Sequence, residues 1–133
     1  MSPSRVIALV LMALGLVLHT FTWAVKSTHF SIGFWLLSLS PYIAAACLYF
    51  WARKPHSAAG ALVLPALFDV GNYYSVFVDP SSSTSALGII FVPILNIAVF
   101  VPIGAAVGWW VGRRIALTND MLSNTSLERT RER

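Results

Sequence analysis

Charged residues are scarce in this sequence, since only 11% of its 133 residues are Asp, Glu, Lys or Arg. A soluble domain usually carries about twice that share. Hydrophobic residues make up 57% of the chain, and the mean hydropathy is +0.74. Long uncharged runs would be left on the outside of a soluble globule, and so much apolar surface also excludes a disordered chain. The composition therefore predicts a small membrane protein with several spans.

Cysteine and catalytic motifs are also nearly absent. The single cysteine, Cys47, excludes an internal disulfide, and a lone thiol within a span is most often a small apolar filler. The chain contains no G-x-S-x-G, no H-E-x-x-H and no phosphate-binding glycine loop. Its basic residues form no stripe with interleaved aromatics, which nucleic-acid binding would favour. We therefore expect no enzymatic activity, no metal or other cofactor, and no nucleic-acid partner.

Four apolar segments are long enough to cross the hydrocarbon core, which takes about 20 helical residues. They cover residues 6–25, 31–52, 58–78 and 86–112. Because the connections between them are short, we predict an all-α fold, an integral membrane four-helix bundle with four transmembrane helices. Residues 1–112 then form a single transmembrane domain, and residues 113–133 form a polar, basic tail.

The tail is predicted to contain a short helix and a disordered end. Thr118, Asn119 and Asp120 are typical N-cap residues, which favours the start of a short interfacial helix at that point. The mixed charges of residues 127–133 favour a disordered end.

Basic residues indicate the direction of the spans, because cytoplasmic loops are enriched in Lys and Arg. With a cytoplasmic N-terminus, eight basic residues lie inside: Arg5, Arg53, Lys54, Arg113, Arg114, Arg129, Arg131 and Arg133. Only Lys26 then lies outside. We therefore predict a multi-pass protein of the cell membrane (inner or plasma) with both termini and the tail in the cytoplasm.

The first span has an alternative interpretation. Arg5 followed by the apolar run 6–18 is also typical of a secretory signal peptide. The triplet Thr22-Trp23-Ala24 is a poor cleavage site, because it lacks the A-x-A pattern. Cleavage would leave three spans, and these would keep their direction.

Polar residues within the spans are informative, because an ionisable group in mid-membrane is costly and usually faces protein or a water-filled cavity. Asp69 is the only acidic residue within a span and lies near its middle. At 100° per residue it shares one helix face with Leu62, Pro65, Asn72 and Tyr73, away from Leu67, Val70 and Tyr74. Polar residues of the other spans lie at similar depth. The predicted intramembrane cluster consists of His19, Ser38, Ser40, Asp69, Asn72, Tyr73 and Asn96.

Prolines within the spans add to this pattern. Pro41, Pro65, Pro93 and Pro102 each remove a helix hydrogen bond. Pro65 precedes Asp69 by four residues, and Pro93 precedes Asn96 by three, so we expect bends beside the cluster.

Glycines recur every four residues in the fourth span, at Gly104, Gly108 and Gly112. This doubled G-x-x-x-G pattern lets a second helix approach closely. The second helix belongs either to the same chain or to a membrane protein partner, including a second copy in a homo-oligomer.

Three functional classes remain open. The first, which we rank highest, is a protein that acts by binding another protein in or at the membrane, as an accessory subunit or an immunity factor. The second is a proton- or cation-coupled carrier of a small solute that uses the Asp69-centred cluster. Low dielectric disfavours a charged carboxylate and imidazole titrates near neutral pH, so such a cluster suits proton exchange. The third is a structural membrane protein without a site, in which the cluster only holds helices in register. All three have the lipid bilayer as a partner.

Overall fold

The structure, a computed structural model, describes residues 2–26, 32–79 and 85–131, and every regular element in these ranges is helical. The α-helices are α1 (Pro3–Lys26), α2 (Ile32–Ala46), α3 (Pro55–Tyr73), α4 (Ser85–Leu95) and α5 (Val101–Arg131). Three π-helical turns extend them: Cys47–Trp51 follows α2, Tyr74–Val78 follows α3, and Asn96–Phe100 joins α4 to α5.

Four helical stretches are long and apolar enough to cross a membrane. They are Pro3–Ala24, Ile32–Trp51, Pro55–Val78 and Ile90–Leu122. The predicted all-helical chain with four helices of membrane-spanning length is therefore confirmed. Position 31, the predicted start of the second span, lies outside the described residues.

Two of the helices begin three residues earlier than predicted, at Pro3 and Pro55. Proline suits the first turn of a helix, because its fixed φ is helical and the N–H it lacks would have no partner there. Only three residues separate Trp51 from Pro55, and Arg53 between them has a φ of 54°. The chain reverses here because the Lys54 N–H reaches back to the Leu48 carbonyl at 2.9 Å.

The predicted separate short helix in the tail is wrong, because α5 continues without a break from Val101 to Arg131. The Thr118 hydroxyl donates to the Arg114 carbonyl at 3.1 Å, one turn back, and so starts no new helix. No Gly or Pro follows Gly112 in the sequence, and residues such as Leu, Met and Arg favour continuation of the helix. Residues 127–131, predicted to be disordered, are therefore helical, while positions 132–133 lie outside the described residues.

The helices alternate in direction. Gly15 of α1 lies against Tyr42 of α2, and Trp23 packs on Trp35, so α1 and α2 are antiparallel. We call the end where α1 and the third span finish the distal end, and the end that carries Pro3 and Pro55 the proximal end.

The third helix is the centre of the bundle, since it contacts α1, α2, α4 and α5. Its predicted inner face is confirmed: Leu62, Pro65 and Asp69 are buried, whereas Leu67 is 65% exposed and Val70 49%. The outward residues of all four spans are apolar and exposed, as membrane-facing surfaces are.

Small residues build the proximal half of the bundle. Ala8, Ala58 and Ala61 are fully buried, which brings the helix backbones close together. The backbones of α3 and α5 lie against each other, and a Cβ atom placed on Gly104 would overlap the Gly60 carbonyl.

The glycines of α5 all face α3 of the same chain. A Cβ on Gly108 would overlap the His56 carbonyl, and one on Gly112 would lie 2.9 Å from the His56 ring. The glycine pattern left open a contact within the chain or a contact with a second protein. In the structure the contact is within the chain. A partner or a second copy would reach Gly104 and Gly108 only after displacing α3.

Candidate functional site

Each of the four spans contributes one side chain to a hydrogen-bonded cluster near the middle of the bundle. His19 comes from α1, Tyr42 from α2, Asp69 from α3 and Asn96 from the π-helical turn between α4 and α5. We call these four residues the Asp69 cluster. Asp69 is 5% exposed and Asn96 is fully buried.

The Asp69 carboxylate accepts hydrogen bonds on both oxygens. The Tyr42 hydroxyl donates to Oδ2 at 2.7 Å, and the Asn96 amide Nδ2 donates to Oδ1 at 2.8 Å. The His19 Nε2 atom lies 3.0 Å from Oδ2. Burying a carboxylate is costly unless it is paired and hydrogen-bonded, and these partners meet that condition.

The Asp69 cluster still has oxygen atoms that could accept a further hydrogen bond. A carboxylate offers about four acceptor positions, and three of them are used. Within the described residues, the Asp69 Oδ1 atom accepts from Asn96 alone, and the buried Oδ1 of Asn96 has no partner. The cluster therefore has unfilled acceptor capacity for a further hydrogen-bond donor.

Local sequence features place these side chains. A Cβ on Gly15 would overlap the Tyr42 ring, so only glycine at this position lets the ring lie across α1 towards Asp69. In the fourth span, the Val101 N–H bonds to the Asn96 carbonyl, five residues back. Such π-helical turns are rare and often occur at functional sites.

Prolines line the interior beside the cluster. Pro41 directly precedes Tyr42, and Pro65 and Pro93 lie within about one turn of Asp69 and Asn96; all three prolines are buried. Pro102 differs, because it is exposed on the outer surface.

A cavity of about 70 Å³ extends from the cluster towards the distal end. Asp69 and His19 form one end of it, and Phe77 lies eight residues further along the third span, about 12 Å away at 1.5 Å per residue. Five aromatic side chains line the walls: Trp23, Phe34, Trp35, Tyr73 and Phe77. The volume suits a few water molecules or one small solute.

The remaining predicted residues lie around the cavity or away from it. Ser38 lines the cavity, but its hydroxyl donates to the Phe34 carbonyl at 3.0 Å. The Ser40 hydroxyl donates to the Leu37 carbonyl at 2.7 Å and is not among the described cavity residues.

Asn72 and Tyr73 also line the cavity, and no hydrogen bond to Asp69 is found for either among the described contacts. The Asn72 Oδ1 atom instead lies against Gly88 of α4, and the Tyr73 ring packs on Phe77 at a centroid distance of 5.2 Å. The structure thus joins His19, Asp69 and Asn96 directly and places the other residues at the cavity wall or on their own helix.

Sequence reasoning missed Tyr42. Its position carried a signal, because tyrosines in spans usually lie at the membrane interface, whereas Tyr42 lies eleven residues into its predicted span. Asp69 lies at the same depth. A buried tyrosine hydroxyl normally requires a partner, and an acid at equal depth is an obvious one.

No protein-family model, curated protein or solved structure matches this chain. What indicates its function is therefore the chemistry of the Asp69 cluster and its cavity.

Proposed function

We propose that this chain is a multi-pass protein of the cell membrane, inner or plasma, with both termini on the cytoplasmic side. The eight basic residues that the sequence places at the proximal end support this orientation. Arg113 and Arg114 lie over the rings of Trp109 and Trp110, at 5.6 and 5.1 Å from the ring centroids. Such pairs of aromatic and basic side chains are typical of the membrane–water interface. The distal end then faces away from the cytoplasm.

Cysteine labelling tests the orientation. In a Cys47→Ala background, Asp79→Cys marks the distal end and Asn119→Cys marks α5 at the proximal end. A membrane-impermeant maleimide added to intact cells is expected to label residue 79 alone, and lysis is expected to make residue 119 reactive. The opposite pattern would reverse the proposed orientation.

We propose further that the protein is a proton-coupled carrier of a small solute, and that the His19–Asp69 pair binds the proton. The observation that carries this proposal is that both members of the pair line the cavity. A cluster that only held helices in register would need no space beside its charged group. Of the three functional classes, this geometry favours the carrier.

The pair changes charge when it gains or loses one proton. With the proton, an imidazolium faces a carboxylate and the pair is neutral. Without it, a neutral imidazole leaves the negative charge of Asp69 at the cavity. Tyr42 and Asn96 donate to the carboxylate in both states and hold it in place. A positively charged solute is thus attracted when the proton leaves and released when it returns.

In the described state α3 packs tightly on α5 in the proximal half. Passage of solute to the cytoplasm then requires these helices to separate, which is the rearrangement of an alternating-access carrier.

Infrared difference spectroscopy of the reconstituted protein tests proton binding. Across about pH 5 to 9, the range in which histidine titrates, we expect coupled changes in the imidazole and carboxyl bands. His19→Gln is expected to remove the carboxyl change and the His19 share of the imidazole change, and Asp69→Asn is expected to remove the carboxyl change. His56→Gln serves as the matched control, since His56 lies at the proximal end beside Gly112. Unaltered bands in His19→Gln would overturn the proposal.

A further inference from the structure

We infer that the cavity beside the Asp69 cluster binds a small primary alkylammonium ion. This inference rests on the proposed function and names the substrate class of that site. Four properties of the site favour this ligand: the charge of the cavity, the aromatic residues of its walls, the unfilled acceptor of Asp69 and the cavity volume.

The charge of the cavity favours a cation. Asp69 is the only acidic side chain among its described lining residues, and no lysine or arginine occurs among them. Asp69 is 5% exposed, so solvent screens its charge little.

The walls favour an organic cation over a hydrated metal ion. The faces of aromatic rings attract ammonium groups, and their carbon atoms pack against alkyl groups. Trp23 and Trp35 lie 6.0 Å apart between centroids with their planes at 43°, and Tyr73 and Phe77 lie 5.2 Å apart at 46°. Two pairs of tilted rings thus line the path from the distal end to the carboxylate.

The unfilled acceptor of Asp69 favours a primary ammonium group. Its Oδ1 atom accepts only from Asn96 within the described residues, and an R-NH₃⁺ group supplies the missing N–H donor. A quaternary ammonium has no N–H, and a neutral alcohol of the same size has no charge. The cavity volume of about 70 Å³ limits the alkyl group to a few carbon atoms.

Isothermal titration calorimetry on the full chain in detergent, at mildly alkaline pH, tests this inference with ethylammonium and n-propanol. Ethylammonium has three heavy atoms and n-propanol has four, so the two are similar in size but differ in charge. We expect saturable binding of ethylammonium and none of n-propanol. Asp69→Asn is expected to weaken ethylammonium binding at least about tenfold, because the charge and one strong acceptor are lost.

Two neighbouring tyrosines provide a matched pair of variants. Tyr73 lines the cavity, whereas Tyr74 is 57% exposed on the outer surface. Tyr73→Leu is expected to weaken binding several-fold through loss of the ring face, and Tyr74→Leu is expected to bind like the wild type. Because both tyrosine variants keep Asp69, they test whether ethylammonium binds in the cavity even if Asp69→Asn does not fold.

Equal binding of ethylammonium and n-propanol, or no saturable binding of either, would overturn the inference. So would equal affinities in Tyr73→Leu and Tyr74→Leu. The infrared titration separates the two proposals because it uses no ammonium ion. Titration of the His19–Asp69 pair without ethylammonium binding refutes the substrate class alone, and ethylammonium binding without titration refutes the proton coupling alone.

Discussion

The proximal and distal halves of the bundle are packed on opposite principles. In the proximal half, glycines and alanines let α3 lie directly on α5 and α1, and backbone touches backbone. In the distal half, large aromatic side chains separate the helices, and a cavity lies between them. Small residues give extensive van der Waals contact over a close interface, whereas bulky rings leave gaps that a solute or water can fill. The chain thus separates the part that holds it together from the part that has space for a ligand.

This contrast predicts that substitutions in the close-packed proximal half lower the free energy of unfolding more than substitutions at the Asp69 cluster do.

The largest loss is expected from Gly104→Ala in the proximal half. The new methyl group would overlap the Gly60 carbonyl, which is backbone and cannot rotate away, so α3 and α5 must separate. Overpacking of this kind costs about 3 kcal/mol. Unfolding of the reconstituted protein by SDS measures the loss, and a wild-type unfolding curve would refute the close contact.

Asp69→Ala is expected to cost somewhat less, about 2 kcal/mol, because it removes three hydrogen bonds that average about 0.6 kcal/mol each inside membrane proteins. Asp120→Ala is the matched control, since Asp120 is exposed on α5. Equal stability of the two variants in the same SDS assay would show that the Asp69 cluster contributes nothing to the bundle.

Gly15→Ala is expected to cost about 1 kcal/mol, because its methyl group displaces the Tyr42 ring and weakens the hydrogen bond to Asp69. Tyr42→Phe removes the same bond directly. If both act through that bond, the double variant costs less than the sum of the single ones. Additive losses would show that Gly15 does not position Tyr42.

Gly71→Ala is expected to change the free energy of unfolding least, and to raise it rather than lower it. A Cβ at this position meets no atom within 4 Å, so the only change is the lower flexibility of the unfolded chain. We expect a gain of about 0.5 kcal/mol, measured by the same unfolding curves. Destabilisation would mean that the third span packs more closely at its distal end than the structure describes.

Particular residues show how far the sequence could predict this structure. The length of the apolar segments identified the four spans. Helical periodicity identified the inner face of α3, which carries Leu62 and Asp69. The helical continuation of the tail was missed, because N-cap residues such as Thr118 also bond back to their own helix. The depth of each residue along its span correctly predicted that His19, Asp69 and Asn96 lie close together. Depth could not exclude Ser40 from the cluster, although its hydroxyl donates to the backbone of its own helix.

Hydropathy and segment length alone predict a helical chain with four segments able to cross a membrane, because both follow from the order of residues along the chain. Which helix the glycines face and which donors surround Asp69 depends on how the helices pack. Both depend on the rotation of each helix about its axis, and that rotation is set by contacts between residues far apart in the sequence. Gly15 shows the reason most clearly: the absence of its side chain matters only because Tyr42, 27 residues later in the chain, lies against it.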